Sequence, residues 1–198
     1  MIRRLIPMLV LAASTLAFAA ESVVIDTAHQ SEKEKATRDE LQRVISKYHL
    51  AAWSFTHRVL IDENSIPHSH PVLTIHIRHL GQEDALLSTY VHEQLHWFFV
   101  AHSADTDAAI ADLKNLYPEV PVGYPEGAND TNSTYLHLLV CYEEGQFDSK
   151  LMGSDRAKAM MEFWSKDHYR WVYRTVHNDA DKIENVIQAH KLVPPEVR

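Results

Sequence analysis

The residues best suited to chemistry in this chain are His92, Glu93 and His96, which form the pattern His-Glu-x-x-His. On a helix, positions i and i+4 lie on one face, so the two imidazoles can be directed at one metal ion. Glu93 then lies beside an open coordination position. A carboxylate there takes a proton from a zinc-bound water, whose pKa falls to roughly 7, and returns it to the leaving amine. The pattern therefore predicts one Zn²⁺ ion per chain and amide hydrolysis.

The residues around this pattern predict the elements that position it. An apolar stripe at helical spacing buries one side of the motif helix and leaves the histidines on an adjacent face. The stripe comprises Leu87, Val91, Leu95 and Phe98. Upstream, the alternating segment 71–79 is typical of a half-buried strand, and 53–61 is rich in strand-favouring residues. The turn-like residues 62–65 between them predict a small antiparallel sheet packed on the motif helix.

A second helix, predicted over 133–148, carries polar residues on one face. At about 100° per residue, four of its side chains fall within a narrow arc. They are His137, Cys141, Glu144 and Asp148. A helix with so many polar side chains on one face is unusual unless that face contacts a ligand. The metal ion predicted at His92 and His96 still lacks a third protein ligand. Cys141 is interpreted separately, as a small buried apolar residue.

Residues 92–96 resemble the first motif of the zincin metallopeptidases, and the chain is most similar to the gluzincins among them. In that group the third ligand is a glutamate on a later helix, often followed four residues on by an aspartate, as at 144–148. The resemblance covers residues 72–148 and implies a zincin-like α+β fold. It implies that His92, His96 and Glu144 bind zinc. It further implies that Glu93 is the base and that Asp148 holds a ligand histidine in its correct tautomer.

His137 departs from this resemblance, because it lies two turns before Glu144 on the same face. Residues seven apart on a helix are roughly 10 Å apart along its axis, too far to share one zinc ion easily. One of the two should be the ligand and the other should serve the substrate. We assign Glu144 as the ligand and leave His137 as an oxyanion donor or the alternative third ligand.

The start of the chain has the features of a secretory signal peptide. Arg3 and Arg4 precede an apolar run from residue 5 to 18, and small residues follow, which predicts cleavage after Ala19 or Ala20. We therefore expect a signal peptide at 1–19, a single zincin-like domain at 20–198, and a periplasmic or secreted protein with no membrane span after cleavage. The net charge of -8 argues against nucleic acid as a partner. The single cysteine excludes an intramolecular disulfide.

The remaining segments predict a mostly helical domain. Helices are expected at 31–48, 105–116, 154–164 and 179–190, whereas 168–176 fits a strand or a helix equally well. The Pro- and Gly-containing loop 117–133 is long enough to be functional or mobile. Tyr169 or Tyr173 could donate a hydrogen bond to an oxyanion, but we expect both to pack as aromatic side chains. We expect His68 and His70 to be solvent-exposed residues outside any metal site.

Together these features predict an exported zinc metallopeptidase that acts on peptides or proteins. Two other classes fit some of the same residues. A non-catalytic zinc-binding or interaction protein of the cell envelope would keep the metal scaffold, although it would have no need of Glu93 as a base. A histidine-rich metal buffer would use the 14 histidines as several weak sites instead of one tight site.

Overall fold

The computed structural model describes residues 22–196, so the predicted signal peptide lies outside the described residues. The strands are β1 (Val24–Thr27), β2 (Arg58–Ile61) and β3 (Leu73–Ile75). The helices are α1 (Glu32–Lys47), α2 (Glu83–Ala101), α3 (Ser103–Leu116), α4 (Thr131–Met152), α5 (Ser154–Asp167), α6 (Arg170–Asn178) and α7 (Ala180–Ala189). The protein is therefore an α+β protein in which helices predominate, as the sequence predicted.

The sheet is parallel, and the prediction of an antiparallel sheet was wrong. β1, β2 and β3 lie side by side in that order, with Ile61 of β2 paired to Ile75 of β3. The connection 62–72 does not make a tight turn but carries the chain back to begin β3 at the same end as β2. β3 is buried at all three positions, as is common for parallel strands. Part of the connection then pairs along β3, where His68 and Thr74 form an antiparallel bridge.

α1 confirms the first predicted helix. It begins after Ser31, whose side chain accepts a hydrogen bond from the backbone N–H of Glu34 and so caps the helix. Its apolar face, with Leu41, Val44 and Ile45, is buried. The chain before it forms β1, a strand that the sequence analysis did not predict.

α2 and α4 are the central helices, and they pack against each other. Every residue of α2 from 85 to 95 is buried, including the predicted apolar stripe. α4 is buried on all sides from 137 to 144, because α3, α5, α6 and α7 also pack against it. A helix enclosed in this way buries its polar residues together with its apolar ones, so the chemistry-bearing side chains lie inside the protein.

The outer helices differ from prediction mainly at their ends. α3 begins at Ser103, directly after α2, and Asp130 caps α4 by accepting a hydrogen bond from the N–H of Ser133. The undecided segment 168–176 is mostly helical, as α6. The loop between α3 and α4 is fastened at several points, since the Arg170 N–H donates to the Pro125 carbonyl and the Thr134 hydroxyl donates to Pro121.

One cluster of buried apolar side chains extends from Val23 to Leu192 and includes residues of the sheet and of all seven helices. Across residues 22–196, no helix has the length and apolar character needed to cross a membrane.

Candidate metal centre

Three histidines from the two central helices converge. One ligand nitrogen of each of His92, His96 and His137 lies within 4.8 Å of the others. Their ring centroids are 5.1 Å apart for His92 and His96, 4.9 Å for His96 and His137, and 5.5 Å for His92 and His137. The i, i+4 pair of α2 thus meets a third imidazole from α4. Three imidazoles so placed match the donor type and spacing of a zinc site.

Hydrogen bonds to the Nδ1 atoms of His137 and His92 determine which ring nitrogen of each residue faces the centre. The Nδ1 of His137 lies 2.6 Å from the carbonyl oxygen of Ser133. A carbonyl can only accept, so Nδ1 carries the proton and Nε2 keeps its lone pair. The Nδ1 of His92 lies 2.9 Å from the Glu144 carboxylate, while its Nε2 lies 3.3 Å from the Nε2 of His96. The Nε2 atoms are therefore the ones available to a shared cation.

Glu144 lies behind His92 rather than beside the three-histidine centre. Its Oε2 contacts the Nδ1 of His92 and accepts a hydrogen bond from the Tyr173 hydroxyl at 2.9 Å. Its Oε1 accepts from the Ser88 hydroxyl at 2.6 Å. With Cys141, Glu144 and His92 also form a second buried group of potential ligands. His137, and not Glu144, is grouped with both His92 and His96.

Asp148 does not form the hydrogen bond to a histidine that the resemblance implied. Its side chain is fully buried, and neither carboxyl oxygen has a hydrogen-bond partner within the described residues. The nearby Ser88 hydroxyl has one hydrogen, which it donates to Glu144. Burial, together with the charge of Glu144, raises the pKa of Asp148 well above its usual value. The contact with a histidine of the cluster, which the resemblance implied for Asp148, is made by Glu144 to Nδ1 of His92.

Glu93 lies beside the cluster and is buried, with an exposed fraction of 6%. Burial raises the pKa of its carboxyl group to about 7, with the positive charge of His92 opposing this shift and the negative charge of Glu144 adding to it. A group that titrates near neutral pH can both accept and release a proton under working conditions. These surroundings are suitable for the general base that the sequence predicted.

The histidines of the centre differ in protonation. Burial and the positive charge on neighbouring histidines lower the pKa of His96 well below its usual value and lower that of His137 to about 3. Both rings are therefore neutral at pH 7, with lone pairs for a cation. Burial also opposes a charge on His92, but the charge of Glu144 and hydrogen bonds to Glu144 and Cys141 raise its pKa well above 6.5.

Aromatic residues from two other segments, and one from α2 itself, lie near the centre. The ring of Tyr169, at the start of α6, lies 4.1 Å from that of His137, centroid to centroid. His70 stacks on Trp97 at 4.2 Å, and the Trp97 N–H donates to the carbonyl of Ser69. Trp97 is one helical turn after Glu93. The loop 62–72 and the α5–α6 corner therefore both approach the site.

The residues that donate hydrogen bonds to Glu144 were not predicted from the sequence, although the position of one of them, Ser88, could have been. Ser88, His92 and His96 follow one another at four-residue spacing along α2, so Ser88 shares the face of the two histidines. Tyr173 and Trp164 had no such signal, because they reach Glu144 and Ser88 from helices distant in sequence. His68 is half-buried and His70 is exposed, and neither belongs to a metal-ligand cluster within residues 22–196.

One further cluster of potential ligands lies at the edge of the sheet, and it has a structural explanation. It consists of His29, Glu34 and Asp62. The Glu34 carboxylate accepts hydrogen bonds from the backbone N–H groups of His29 and Glu63, which ties the loops after β1 and β2 together. The pKa of Glu34 is lowered, since these hydrogen bonds outweigh the opposing effect of burial.

Comparisons of the chain with protein-family models, with curated protein sequences and with solved structures gave no match. The gluzincin resemblance thus stays a prediction that rests on residues 92–96 and 144–148. The buried groups show that the protein has side chains able to hold a metal ion.

Proposed function

We propose that this chain is an exported zinc-dependent peptidase in which His92, His96 and His137 hold the metal ion. The observation that carries this proposal is the convergence of three imidazoles, with the buried carboxyl group of Glu93 next to His92 on α2. Structural zinc sites usually fill all four positions with protein ligands, whereas catalytic sites use three and leave one open. Three histidines with a neighbouring base fit the catalytic arrangement.

The chain's own groups divide the work of amide hydrolysis among them. Zinc supplies Lewis acidity and lowers the pKa of a water molecule. The Glu93 carboxylate accepts a proton from the attacking water and delivers it to the leaving nitrogen. Glu144 holds Nδ1 of His92, so that Nε2 stays directed at the cation.

This proposal exchanges two of the roles assigned from sequence. His137 becomes the third ligand, which was its alternative assignment, and Glu144 becomes a positioning residue. The exchange rests on the hydrogen bonds, because the Glu144 carboxylate is already engaged by Ser88, Tyr173 and His92 on the far side of the His92 ring. The export part of the proposal rests on the signal-like residues 1–19, and it makes extracytoplasmic peptides or proteins the substrate class.

Glu93→Gln tests the catalytic part of the proposal. The amide keeps the shape of the carboxylate but cannot accept a proton, so zinc should remain bound while peptide hydrolysis falls by at least about 10²-fold. Residues 20–198 would be loaded with zinc and assayed on labelled casein, with Glu119→Gln, an exposed carboxylate away from the site, as the control.

Undiminished hydrolysis by Glu93→Gln would exclude Glu93 as the base. A wild-type protein that binds one zinc tightly but cleaves nothing would favour the non-catalytic alternative. Several weak zinc sites would favour the metal buffer.

A further inference from the structure

Arg170, the first residue of α6, carries a guanidinium group that the protein leaves unpaired. Its Nε atom is buried without a hydrogen-bond partner, and no carboxylate within residues 22–196 forms an ion pair with the group. The side chain as a whole is half-buried, so the ends of the guanidinium stay open to solvent. A buried charged donor normally has a partner, because the loss of its hydration is costly. The missing partner therefore indicates an anion from outside the chain.

The acidic residues that flank Arg170 are engaged by other arginines. Glu126, in the loop that contacts the start of α6, pairs with Arg174 at 2.5 Å. Asp167, three residues before Arg170, pairs with Arg78 at 2.7 Å. The fold thus supplies carboxylates to two other arginines in this region and none to Arg170.

The first turn of α6 is a poor place for a positive charge unless an anion binds there. The N-terminus of a helix carries partial positive charge, which acidic side chains commonly balance. α6 has no acidic residue in its first turn and no side-chain cap. The guanidinium adds to this positive end instead of balancing it. Helix stability therefore does not explain the presence of Arg170, whereas a bound anion does.

Arg170 adjoins the proposed metal centre. It directly follows Tyr169, whose ring lies 4.1 Å from the His137 ring. It also lies three residues before Tyr173, so the two side chains are neighbours on the surface of α6. An extended peptide advances about 3.3–3.6 Å per residue, so groups within a few residues of a bond held at the centre can reach this corner.

We propose that Arg170 binds a carboxylate of the peptide substrate and so selects peptides that carry a negative charge near the cleaved bond. This inference rests on the proposed peptidase function and names its substrate class. The planar guanidinium matches a carboxylate geometrically and can form two parallel N–H···O hydrogen bonds with it. The same contact can be made with a C-terminal carboxylate or with an acidic side chain.

A set of peptides with one core sequence separates these two sources of the carboxylate. One peptide has a free C-terminus and no acidic residue, the second is its C-terminal amide, and the others are amides with one glutamate at each position in turn. Zinc-loaded wild type should cleave at least one carboxylate peptide with a kcat/KM about 10- to 100-fold above that of the plain amide. The difference should be in KM, because the contact is the same in the ground state and in the transition state.

Arg170→Gln should remove this preference. Its kcat/KM for the carboxylate peptide should fall to that for the plain amide, while hydrolysis of the amide stays within about threefold of the wild type. A damaged fold would slow both peptides equally. Arg174→Gln is the matched control, because it removes the same charge one helical turn later from an arginine that is already paired with Glu126. It should keep the preference.

Calorimetry gives a readout that does not depend on turnover. Binding of the carboxylate peptide and of the plain amide is measured on zinc-loaded Glu93→Gln protein with and without Arg170→Gln. The added substitution should weaken binding of the carboxylate peptide by about 10- to 100-fold and leave binding of the amide unchanged. If the wild type cleaves no peptide, the peptidase proposal fails by itself, and this comparison still decides the role of Arg170.

Three results would overturn the inference. In the first, the wild type handles the amide and every carboxylate peptide alike, within about threefold. In the second, Arg170→Gln keeps the wild-type preference, which would mean that the carboxylate binds elsewhere, such as at the metal. In the third, Arg170→Gln loses activity and binding equally for the amide and the carboxylate peptide, which would make Arg170 a structural residue.

Discussion

Glu143 and Glu144 are neighbours on α4, yet their carboxyl groups differ in the hydrogen-bond donors and charges that surround them. Glu144 is held by donors from two helices, Ser88 and His92 of α2 and Tyr173 of α6. Glu143 is buried with an exposed fraction of 5%, and the charges that act on it come from Lys150 and Glu184. Burial, opposed by Lys150 and assisted by Glu184, raises the pKa of Glu143 to about 7. Between about pH 4.5 and pH 7, Glu143 therefore holds a proton in the folded state that the unfolded chain releases.

Glu143→Gln should stabilise the protein in a pH-dependent way. Between the unfolded pKa of 4.5 and the folded value of about 7, the unfolded state binds fewer protons, so the free energy of unfolding falls as pH rises. The amide has no charge to bury, and the variant should gain up to about 3 kcal/mol at pH 8 and little at pH 4.5. Urea unfolding of the variant and the wild type at both pH values measures this. An equal effect at the two pH values would contradict it.

The residues of the site could be predicted from sequence more readily than their roles. His-Glu-x-x-His and the polar face of 133–148 follow from helical spacing alone, and both are present in the structure. Whether His137 or Glu144 lies closer to His92 and His96 depends on how far α4 is shifted along α2. Only tertiary packing determines that shift. The structure sets His137 against His96 and Glu144 against Ser88, so the two helices run in opposite directions with the histidines level.

At the scale of elements, periodicity located most segments but could not give the direction of a strand. Strand-favouring residues predicted a strand at 53–61 and alternation predicted one at 71–79. Strands form at 58–61 and 73–75, with a 3-10 helix at 77–79, and they pair in parallel. Strand direction is set by the path of 62–72, whose turn-like composition fits either a hairpin or a return along the sheet. β1 was missed because its residues, Val24–Thr27, do not alternate between apolar and polar. α6 stayed undecided because its residues favour strand and helix similarly.

The loop between α3 and α4 gives a prediction at this scale, because it anchors the α5–α6 corner. A Cβ on Gly127 would overlap the carbonyl group of Pro121, a backbone group that cannot easily move. Gly127→Ala should therefore cost about 3 kcal/mol of stability. Gly123→Ala is the matched control: it has φ +89° but free space around its Cα, so it should cost only about 1–2 kcal/mol.

Denaturant unfolding of the two glycine variants gives these differences directly. If Gly127→Ala proved as stable as Gly123→Ala, the loop would not be held against Pro121 as described. The backbone anchor for the α5–α6 corner, and with it the placement of Tyr169, would then need another explanation.

At the scale of the molecule, the polar centre lies between the two helices that are most enclosed by the core. Burial from all sides keeps His96 and His137 neutral and raises the pKa of Glu93 towards neutrality. Neutral rings at His96 and His137 leave lone pairs for a cation, whereas a cation bound by His92 would displace the proton that its raised pKa gives this ring. The same enclosure makes a bound ion part of the fold, because a metal that binds only the native state stabilises it.

The zinc content and zinc affinity of three proteins test the three-histidine centre most directly. The wild type should bind one zinc per chain, as measured by metal analysis and competition with a chromophoric chelator. His137→Ala should lose the metal, because it removes a ligand. Glu144→Gln should still bind one zinc, with affinity lower by about 10- to 100-fold, because it weakens only the contact that orients His92. A His137→Ala protein with undiminished zinc, beside a Glu144→Gln protein without it, would make Glu144 the third ligand and contradict the account.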